Sequence, residues 1–197
     1  MTTLQLASDQ ITESLDGPRA AVVATRLAEV MGLYQRQPGT RIDRETVRDV
    51  INAAAAHGLA EQLAARISDQ PIVDGDVFAL LDILEQSPLP AEEIRSLATS
   101  LGPAALHALV GTSEASLRRY AASSRETPDV VAGRLHYLAL LVAILRGSFN
   151  EFGIRRWFER PHPSLGGVAP ATRLAGDFDP DARDAGDVLR AAAGLLG

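Results

Sequence analysis

Three observations predict an all-α fold for this chain of 197 residues. Ala and Leu are abundant in a composition that is 46% hydrophobic and only 5% aromatic. Apolar residues recur at spacings of three and four along most of the chain, which is typical of helices with one buried face. No segment shows the alternation of apolar and polar residues that indicates a strand. The length and composition also predict an ample core and exclude a disordered chain.

Two helices are predicted in the first third of the chain. Asp16 is the predicted N-cap of a helix over 18–35, whose apolar residues recur at helical spacing. Asp43 is the predicted N-cap of a longer helix over 43–67, which carries one apolar stripe. Gly58 interrupts this second helix and is expected to bend it.

A short helix and a clear break follow. Asp74 is the predicted N-cap of a helix over 76–86. The motif SPLP at 87–90 then interrupts the helical pattern with two prolines, which marks a domain boundary. The sequence thus predicts a helical N-terminal region over 1–90, to which no role is assigned.

Beyond this boundary the apolar spacing predicts helices over 91–101, 103–110 and 114–122. Thr127 and Pro128 have the order of an N-cap and a first helical residue, so a long helix is expected from there to about residue 146.

The long helix carries apolar residues spaced alternately by four and three. They are Val131, Leu135, Leu138, Val142 and Leu145. This spacing is that of a heptad seam, which packs either into the core of the same chain or against a second copy. The core is the simpler interpretation, and a dimer interface is the alternative.

Two further helices are predicted near the C-terminus. Ser148 and Glu151 have the spacing of a capping box for a short helix that ends near Phe158. Asp179, followed by Pro180, is the predicted N-cap of the last helix.

Composition limits the location of the chain. It has no Cys, hence no disulfide framework and no thiolate metal site. No run of about 18 apolar residues predicts a membrane span, and the N-terminal stretch MTTLQLASDQITESLD lacks the features of a signal peptide. We therefore expect a cytoplasmic protein without a membrane partner.

Positive charge is concentrated in the middle of an acidic chain. The net charge is −6, yet residues 103–160 contain 8 Arg and only 5 acidic residues. A local basic surface of this kind is what a DNA-facing region needs.

The same region contains a candidate helix-turn-helix, PAALHALVGTSEASLRRY at 103–120. Such a motif needs an apolar first helix, a tight turn and a capped second helix. Leu106 and Leu109 belong to the first helix, and Gly111 permits the positive φ of the turn. Leu117 is expected to pack the second helix onto the first.

The start of the second helix is the predicted DNA-binding surface, because recognition helices meet base edges with their N-terminal residues. Ser113 is the predicted N-cap, and Ser113 and Ser116 can donate hydrogen bonds to phosphate. Arg118 and Arg119 can bind guanine or phosphate. Glu114 repels phosphate but can accept a hydrogen bond from cytosine. The alternative is a purely structural turn between two helices, whose charged side chains are solvated.

The stretch WFERPHPSLGGVAP at 157–170 combines the only Trp with three prolines and two adjacent glycines. The prolines end the preceding helix, the glycines permit a positive-φ turn, and Pro170 can open the next helix. Trp157, Phe158 and Leu165 are expected to pack this loop onto the long helix. His162 is expected to be solvated, and Arg155 and Arg156 to contact phosphate or form surface ion pairs.

Together these segments resemble the antitoxins of the Xre/MbcA/ParS group. The resemblance covers about residues 91–197 and includes the order W-x-x-x-P-x-x-x-L-G-G-x-x-P followed by a Leu. The matching residues are Trp157, Pro161, Leu165, Gly166, Gly167, Pro170 and Leu174.

The resemblance implies a helix-turn-helix region over 91–126 and a C-terminal toxin-binding domain over 127–197. It implies that the protein represses its own operon by binding operator DNA as a homodimer or higher oligomer. It further implies that residues 166–197 occlude a toxin of the RES or ParT type, which consumes NAD. Five acidic residues there could pair with a basic NAD site: Asp177, Asp179, Asp181, Asp184 and Asp187. Ordinary helix N-terminal charge is the alternative.

The sequence does not favour an enzyme. It lacks a Cys nucleophile, a G-x-S-x-G motif and a phosphate-binding Gly loop, and its four His share no metal-ligand spacing. DFDPDARD at 177–184 lacks the Gly and Glu of a calcium loop. We expect no cofactor and no metal. A stand-alone helix-turn-helix regulator without a toxin, and a helical adaptor without a DNA role, remain as alternatives.

Overall fold

The structure, a computed structural model, describes residues 15–196 and is all-helical, which confirms the predicted fold class. Residues 1–14, on which the expectation about a signal peptide rests, and Gly197 lie outside the described residues. The helices are α1 (Gly17–Val30), α2 (Arg44–Ala56), α3 (Glu61–Ile67), α4 (Asp74–Glu85), α5 (Pro90–Leu101), α6 (Pro103–Val110), α7 (Glu114–Ala121), α8 (Asp129–Leu145), α9 (Glu151–Glu159), α10 (Pro170–Arg173) and α11 (Arg183–Ala193), with a 3-10 turn at Pro163–Leu165. Within the described residues no strand forms, and one isolated bridge pairs His162 with Val168.

Helix α8 lies at the centre of the fold. Every residue from Leu135 to Leu145 is buried, because α1, α5, α6 and α11 pack around the helix. Four members of the heptad stripe, Leu135, Leu138, Val142 and Leu145, are 0% exposed. The core interpretation of the stripe is therefore confirmed, and the dimer-interface alternative is wrong for these residues. In the part of the chain that the structure describes, no helix is long and apolar enough to cross a membrane.

Helix α1 joins the N-terminal region to the rest of the core. It packs against α4 on one side and α8 on the other. Its contact surface includes Ala20, Ala24 and Ala28, all of which are 0% exposed, so neighbouring backbones can approach closely. Residues on both sides of SPLP therefore belong to one hydrophobic cluster. The division of the chain at 90 and 126 stays a prediction.

Two helices are shorter than predicted because glycines end them. The predicted helix over 43–67 is in fact two helices, since Gly58 at φ +79° follows the end of α2 and α3 begins only at Glu61. Helix α1 ends at Val30 rather than near residue 35, and Gly32 follows it at φ +71°. A left-handed residue of this kind stops a helix instead of bending it.

Two predicted caps are confirmed. The side chain of Asp16 accepts a hydrogen bond from the Arg19 amide at 3.0 Å, and that of Asp43 accepts one from the Thr46 amide at 2.9 Å. Both carboxylates thus satisfy an amide that the helix itself leaves unpaired.

Four other predicted caps are wrong. Thr127 is one of them, because the N-cap residue of α8 is Pro128 and no side chain caps that helix. Asp74 is inside α4, and the Asp76 carboxylate accepts the hydrogen bond from the Val73 amide at 2.9 Å. Asn150, not Ser148, caps α9 through the Gly153 amide. Asp179 precedes α11 by several residues and accepts a hydrogen bond from a turn amide. For α4 and α9 a neighbouring polar residue accepts the hydrogen bond instead, whereas the N-cap residue of α11 is Ala182 and no side chain caps that helix.

A buried hydrogen-bonded pair connects α4, α5 and α8. Nδ1 of His136 lies 2.6 Å from a carboxylate oxygen of Glu93, and Nε2 lies 2.9 Å from the carbonyl oxygen of Glu85. The same Glu93 oxygen accepts a hydrogen bond from the Leu89 amide. His136 and Glu93 are 4% and 0% exposed. The pair therefore fixes the SPLP connection against the middle of α8.

Candidate nucleic-acid interface

The candidate interface is built on α6, a short turn and α7. Gly111 ends α6 in the left-handed conformation, at φ 71° and ψ 34°, as its position in the sequence predicted. Ser113 then caps α7 by accepting a hydrogen bond from the Ser116 amide at 3.1 Å. Leu106, Leu109 and Leu117 are buried, so the two helices keep their apolar sides inward.

The predicted DNA-facing residues lie at the surface of α7. Ser113, Glu114, Arg118 and Arg119 are exposed, and Ser116 is half-buried. The Ser113 hydroxyl donates to the Ser116 hydroxyl oxygen at 3.0 Å, so a phosphate contact from Ser113 would have to replace that bond, whereas the Ser116 hydroxyl can still donate. That these residues bind DNA stays a prediction.

The two arginines of α7 are available for an anionic ligand. Neither Arg118 nor Arg119 forms an ion pair with any residue between 15 and 196. Arg125, just after the helix, lies with its guanidinium carbon 5.8 Å from the ring centre of Tyr120. These three arginines are exposed on and just after α7, within the region where the charge count of the sequence had indicated an excess of positive charge.

The opposite side of α7 is firmly attached to the body of the protein. Leu117 and Tyr120 are buried where α7 packs on α5. Arg95 of α5 donates a hydrogen bond to the carbonyl oxygen of Ala121 at 2.5 Å and so caps the end of α7. It also pairs with Glu92 on its own helix. No sequence pattern indicated this anchor.

The turn at Gly111 is held by residues far along the chain. The Gly176 amide donates a hydrogen bond to the Ala108 carbonyl oxygen at 3.0 Å. Arg134 donates from Nη1 to the Val110 carbonyl oxygen at 3.1 Å. Neither residue carried a sequence signal, because each contact joins residues separated by more than twenty positions.

The Pro-Gly loop after α9 has the predicted backbone. Gly166 and Gly167 have φ values of 66° and 77°, and Pro170 begins α10. Trp157 and Leu165 are buried at 4% and 2% exposure. The other matching residues divide between core and surface: Pro170 is buried, and Pro161, Gly166 and Gly167 are exposed.

The neighbours of this loop differ from those expected. Helix α9 packs mainly on α5 and α10, and the 3-10 turn packs on α11. Arg173 links these elements, donating to the Leu165 carbonyl oxygen at 2.9 Å and pairing with Asp184 at 2.5 Å. The loop therefore joins α5 and the C-terminal helix.

One sequence-based assignment near this loop is wrong. His162 is not solvated: its ring centre lies 4.9 Å from that of Trp157, and its Nε2 is 3.1 Å from the Trp157 carbonyl oxygen. Arg155 forms the predicted surface ion pair, with Glu151 at 3.8 Å, and it also donates to the carbonyl oxygens of Thr99 and Ser100 at the end of α5. Arg156 is exposed beside the Phe152 ring.

The acidic residues of the C-terminal segment are partly engaged within the chain. Asp184 pairs with Arg173, and Asp187 pairs with Arg190 of the same helix. Asp179 holds a turn through the Asp181 amide. Asp177 is exposed.

A cleft lies between the start of α8 and the loop before α11. It has a volume of about 540 Å³. Val130, Phe178 and Pro180 form its apolar lining, and Asp129 and Asp179 stand among its acidic lining residues. Val130 is an exposed large apolar residue at 63%.

No group of three or more His, Asp or Glu between residues 15 and 196 could hold a metal ion. The chain matches no protein-family model, no curated protein and no solved structure. The likeness to antitoxins is therefore carried by the sequence motifs given above.

Proposed function

We propose that this chain is a DNA-binding antitoxin that represses its own operon and occludes an NAD-consuming toxin of the RES or ParT type. The observation that carries the proposal is the surface of α7. Its exposed Arg118 and Arg119 make no ion pair within the described chain, while buried contacts on the opposite side attach the helix to the core. The antitoxin is a cytoplasmic dimer or higher oligomer and performs no catalysis.

The chemistry of α7 suits a major groove. An arginine guanidinium can donate two hydrogen bonds to guanine or bind a phosphate, and Glu114 can accept from cytosine. Ser113 lies at the helix N-terminus, where backbone amides and the helix dipole favour a phosphate. Two copies of α7 related by a two-fold axis would read two half-sites of an operator.

The proposed toxin contact is the C-terminal segment. The resemblance to antitoxins implies that residues 166–197 face the toxin. The cleft at Phe178 supports this role because it combines apolar lining with acidic residues, and a basic NAD-binding surface would complement them.

A stand-alone regulator is the second candidate. Asp184 and Asp187 already pair with arginines of this chain, which leaves fewer carboxylates for a toxin. To separate the two candidates, the chain is co-expressed with each neighbouring reading frame of its gene. Rescue of growth from a toxic neighbour supports the antitoxin. If no neighbour is toxic, the stand-alone regulator is favoured.

The DNA-binding proposal predicts a large effect for the double variant Arg118→Ala/Arg119→Ala. We expect its affinity for the duplex upstream of its own reading frame to fall at least about tenfold, since each good arginine contact contributes about 1 to 3 kcal/mol. The slope of log K against log salt should also flatten, because each lost phosphate contact releases about one counterion fewer. Fluorescence anisotropy at several salt concentrations measures both quantities.

The matched control is Arg41→Ala/Arg183→Ala, which removes the same charge from two exposed residues outside the basic segment 103–160. We expect this control to bind like the wild type. Equal affinity and equal salt slope in the α7 double variant and the wild type would contradict the assignment of α7.

A further inference from the structure

The C-terminal end of α6 is completed by other parts of the chain. The last carbonyl groups of a helix have no partner within the helix and need one elsewhere. Here the Gly176 amide bonds the Ala108 carbonyl, and Arg134 bonds the Val110 carbonyl. The His107 carbonyl accepts from the Gly111 and Thr112 amides of the turn itself. The turn before α7 is thus held from outside at two points.

Arg134 joins this turn to the C-terminal loop. It is half-buried on α8, donating from Nη1 to the Val110 carbonyl oxygen and from Nε to the Phe178 carbonyl oxygen, at 3.1 and 2.8 Å. The Phe178 ring packs edge-on against the Tyr137 ring, with 5.2 Å between the ring centres. The Tyr137 hydroxyl donates to the Ala185 carbonyl oxygen at 2.8 Å. Arg134 therefore links the turn to Phe178, and Tyr137 links Phe178 and α8 to the start of α11.

We propose that Arg134 is the residue that positions α7 for DNA. The inference rests on the proposed DNA-binding function. Val110 lies three residues before the Ser113 cap, so the hydrogen bond from Arg134 holds the turn that leads into the N-terminus of α7, while Leu117 and Tyr120 hold the helix on α5. A planar guanidinium with several donors in a fixed geometry suits this role, because it holds two carbonyl groups at once.

Arg134 acts through α7 and does not itself contact the nucleic acid. Two of its donors face carbonyl groups of its own chain, and its guanidinium carbon lies 5.9 Å from the Phe178 ring centre. Its positive charge also complements the partial negative charge at the end of α6. Its loss should therefore lower affinity only while the arginines of α7 are present.

The test is the variant Arg134→Gln in the full chain, with the duplex upstream of its own reading frame as the probe and a mixed-sequence duplex for comparison. We expect the preference for the upstream duplex to fall about tenfold, the effect of losing one or two base contacts. In an Arg118→Ala/Arg119→Ala background, measured at low salt so that residual binding is detectable, Arg134→Gln should cost much less than in the wild type. Such non-additivity is the signature of residues that act together.

The control is Arg41→Gln, which removes one exposed charge from the N-terminal region, outside the basic segment 103–160, and should leave binding unchanged. Equal preference in Arg134→Gln and the wild type overturns the inference, and additive losses overturn it by making Arg134 a direct DNA contact. If the wild type shows no preference for the upstream duplex, the proposed function is wrong, and this inference, which rests on it, is wrong as well. If Arg134→Gln loses its helical circular dichroism, Arg134→Lys, which keeps the charge and one donor position, replaces it in the same comparison.

Discussion

The Gly111→Ala variant is expected to lose about 2 to 5 kcal/mol of unfolding free energy. Two costs add at this residue. Its φ of +71° lies in the left-handed region, which is unfavourable for any residue with a Cβ by about 1 to 2 kcal/mol. A Cβ there would also overlap the Gly176 carbonyl oxygen and stand 2.7 Å from its carbonyl carbon. Overpacking against backbone adds about 1 to 3 kcal/mol.

The Gly58→Ala variant separates these two costs. Gly58 also follows the end of a helix and has φ +79°, but a Cβ there would meet nothing within 4 Å. We expect it to lose only the conformational cost of about 1 to 2 kcal/mol. Urea denaturation of both variants measures the difference. Equal losses in the two variants would contradict the close contact between Gly111 and Gly176.

The second large effect is expected for His136→Leu, which leaves the Glu93 carboxylate buried without its partner. Removing one member of a buried pair costs about 3 to 5 kcal/mol, because the remaining charge stays desolvated and uncompensated. The companion variant His136→Leu/Glu93→Gln removes the charge as well and keeps an acceptor for the Leu89 amide. We expect the double variant to be more stable than His136→Leu. If it is instead less stable by the sum of two independent losses, the pair does not act as a unit.

The same pair predicts how stability depends on pH. Burial lowers the pKa of His136, but the hydrogen bond and the charge of Glu93 raise it more, so that this pKa stands above its usual value. A pKa that is raised in the folded state favours the folded protein at low pH. The contribution is therefore complete below the unfolded-state pKa of about 6.5. It is lost as the pH rises through the folded-state pKa.

Chemical denaturation across this pH range tests the effect. The wild type should lose stability as the pH is raised above about 6.5, whereas the double variant His136→Leu/Glu93→Gln should lose less over the same interval. If the stability of the wild type and of the double variant changes with pH in parallel, the pKa of His136 is not raised in the folded protein.

Most of the local structure was predictable from short-range rules. Gly111 and Ser113 delimit α6 and α7 because a positive φ and a side-chain cap depend only on neighbouring residues. Pro161 and the glycines at 166 and 167 shape their loop for the same reason. One prediction made from these short-range rules is wrong: Gly58 was expected to bend a helix, and it ends one.

The long-range contacts that hold the candidate interface in place could not be predicted from neighbouring residues. Arg134 reaches Val110 and Phe178, which are separated from it by 24 and 44 positions. Nothing in the sequence around Arg155 distinguishes it from other surface arginines, yet its guanidinium donates to carbonyl oxygens at the end of α5. No periodicity or spacing distinguishes these residues from arginines such as Arg119, which stay exposed at the surface.

The helical pattern, the turn at Gly111 and the local excess of arginines follow from periodicity, backbone sterics and the order of charges, and these are properties of adjacent residues. Which helix lies at the centre, which histidine is buried and which arginine holds the turn depend on how the helices pack. That packing is decided by the joint burial of apolar surfaces from distant segments, so only the folded chain brings Arg134, Gly176 and Gly111 together.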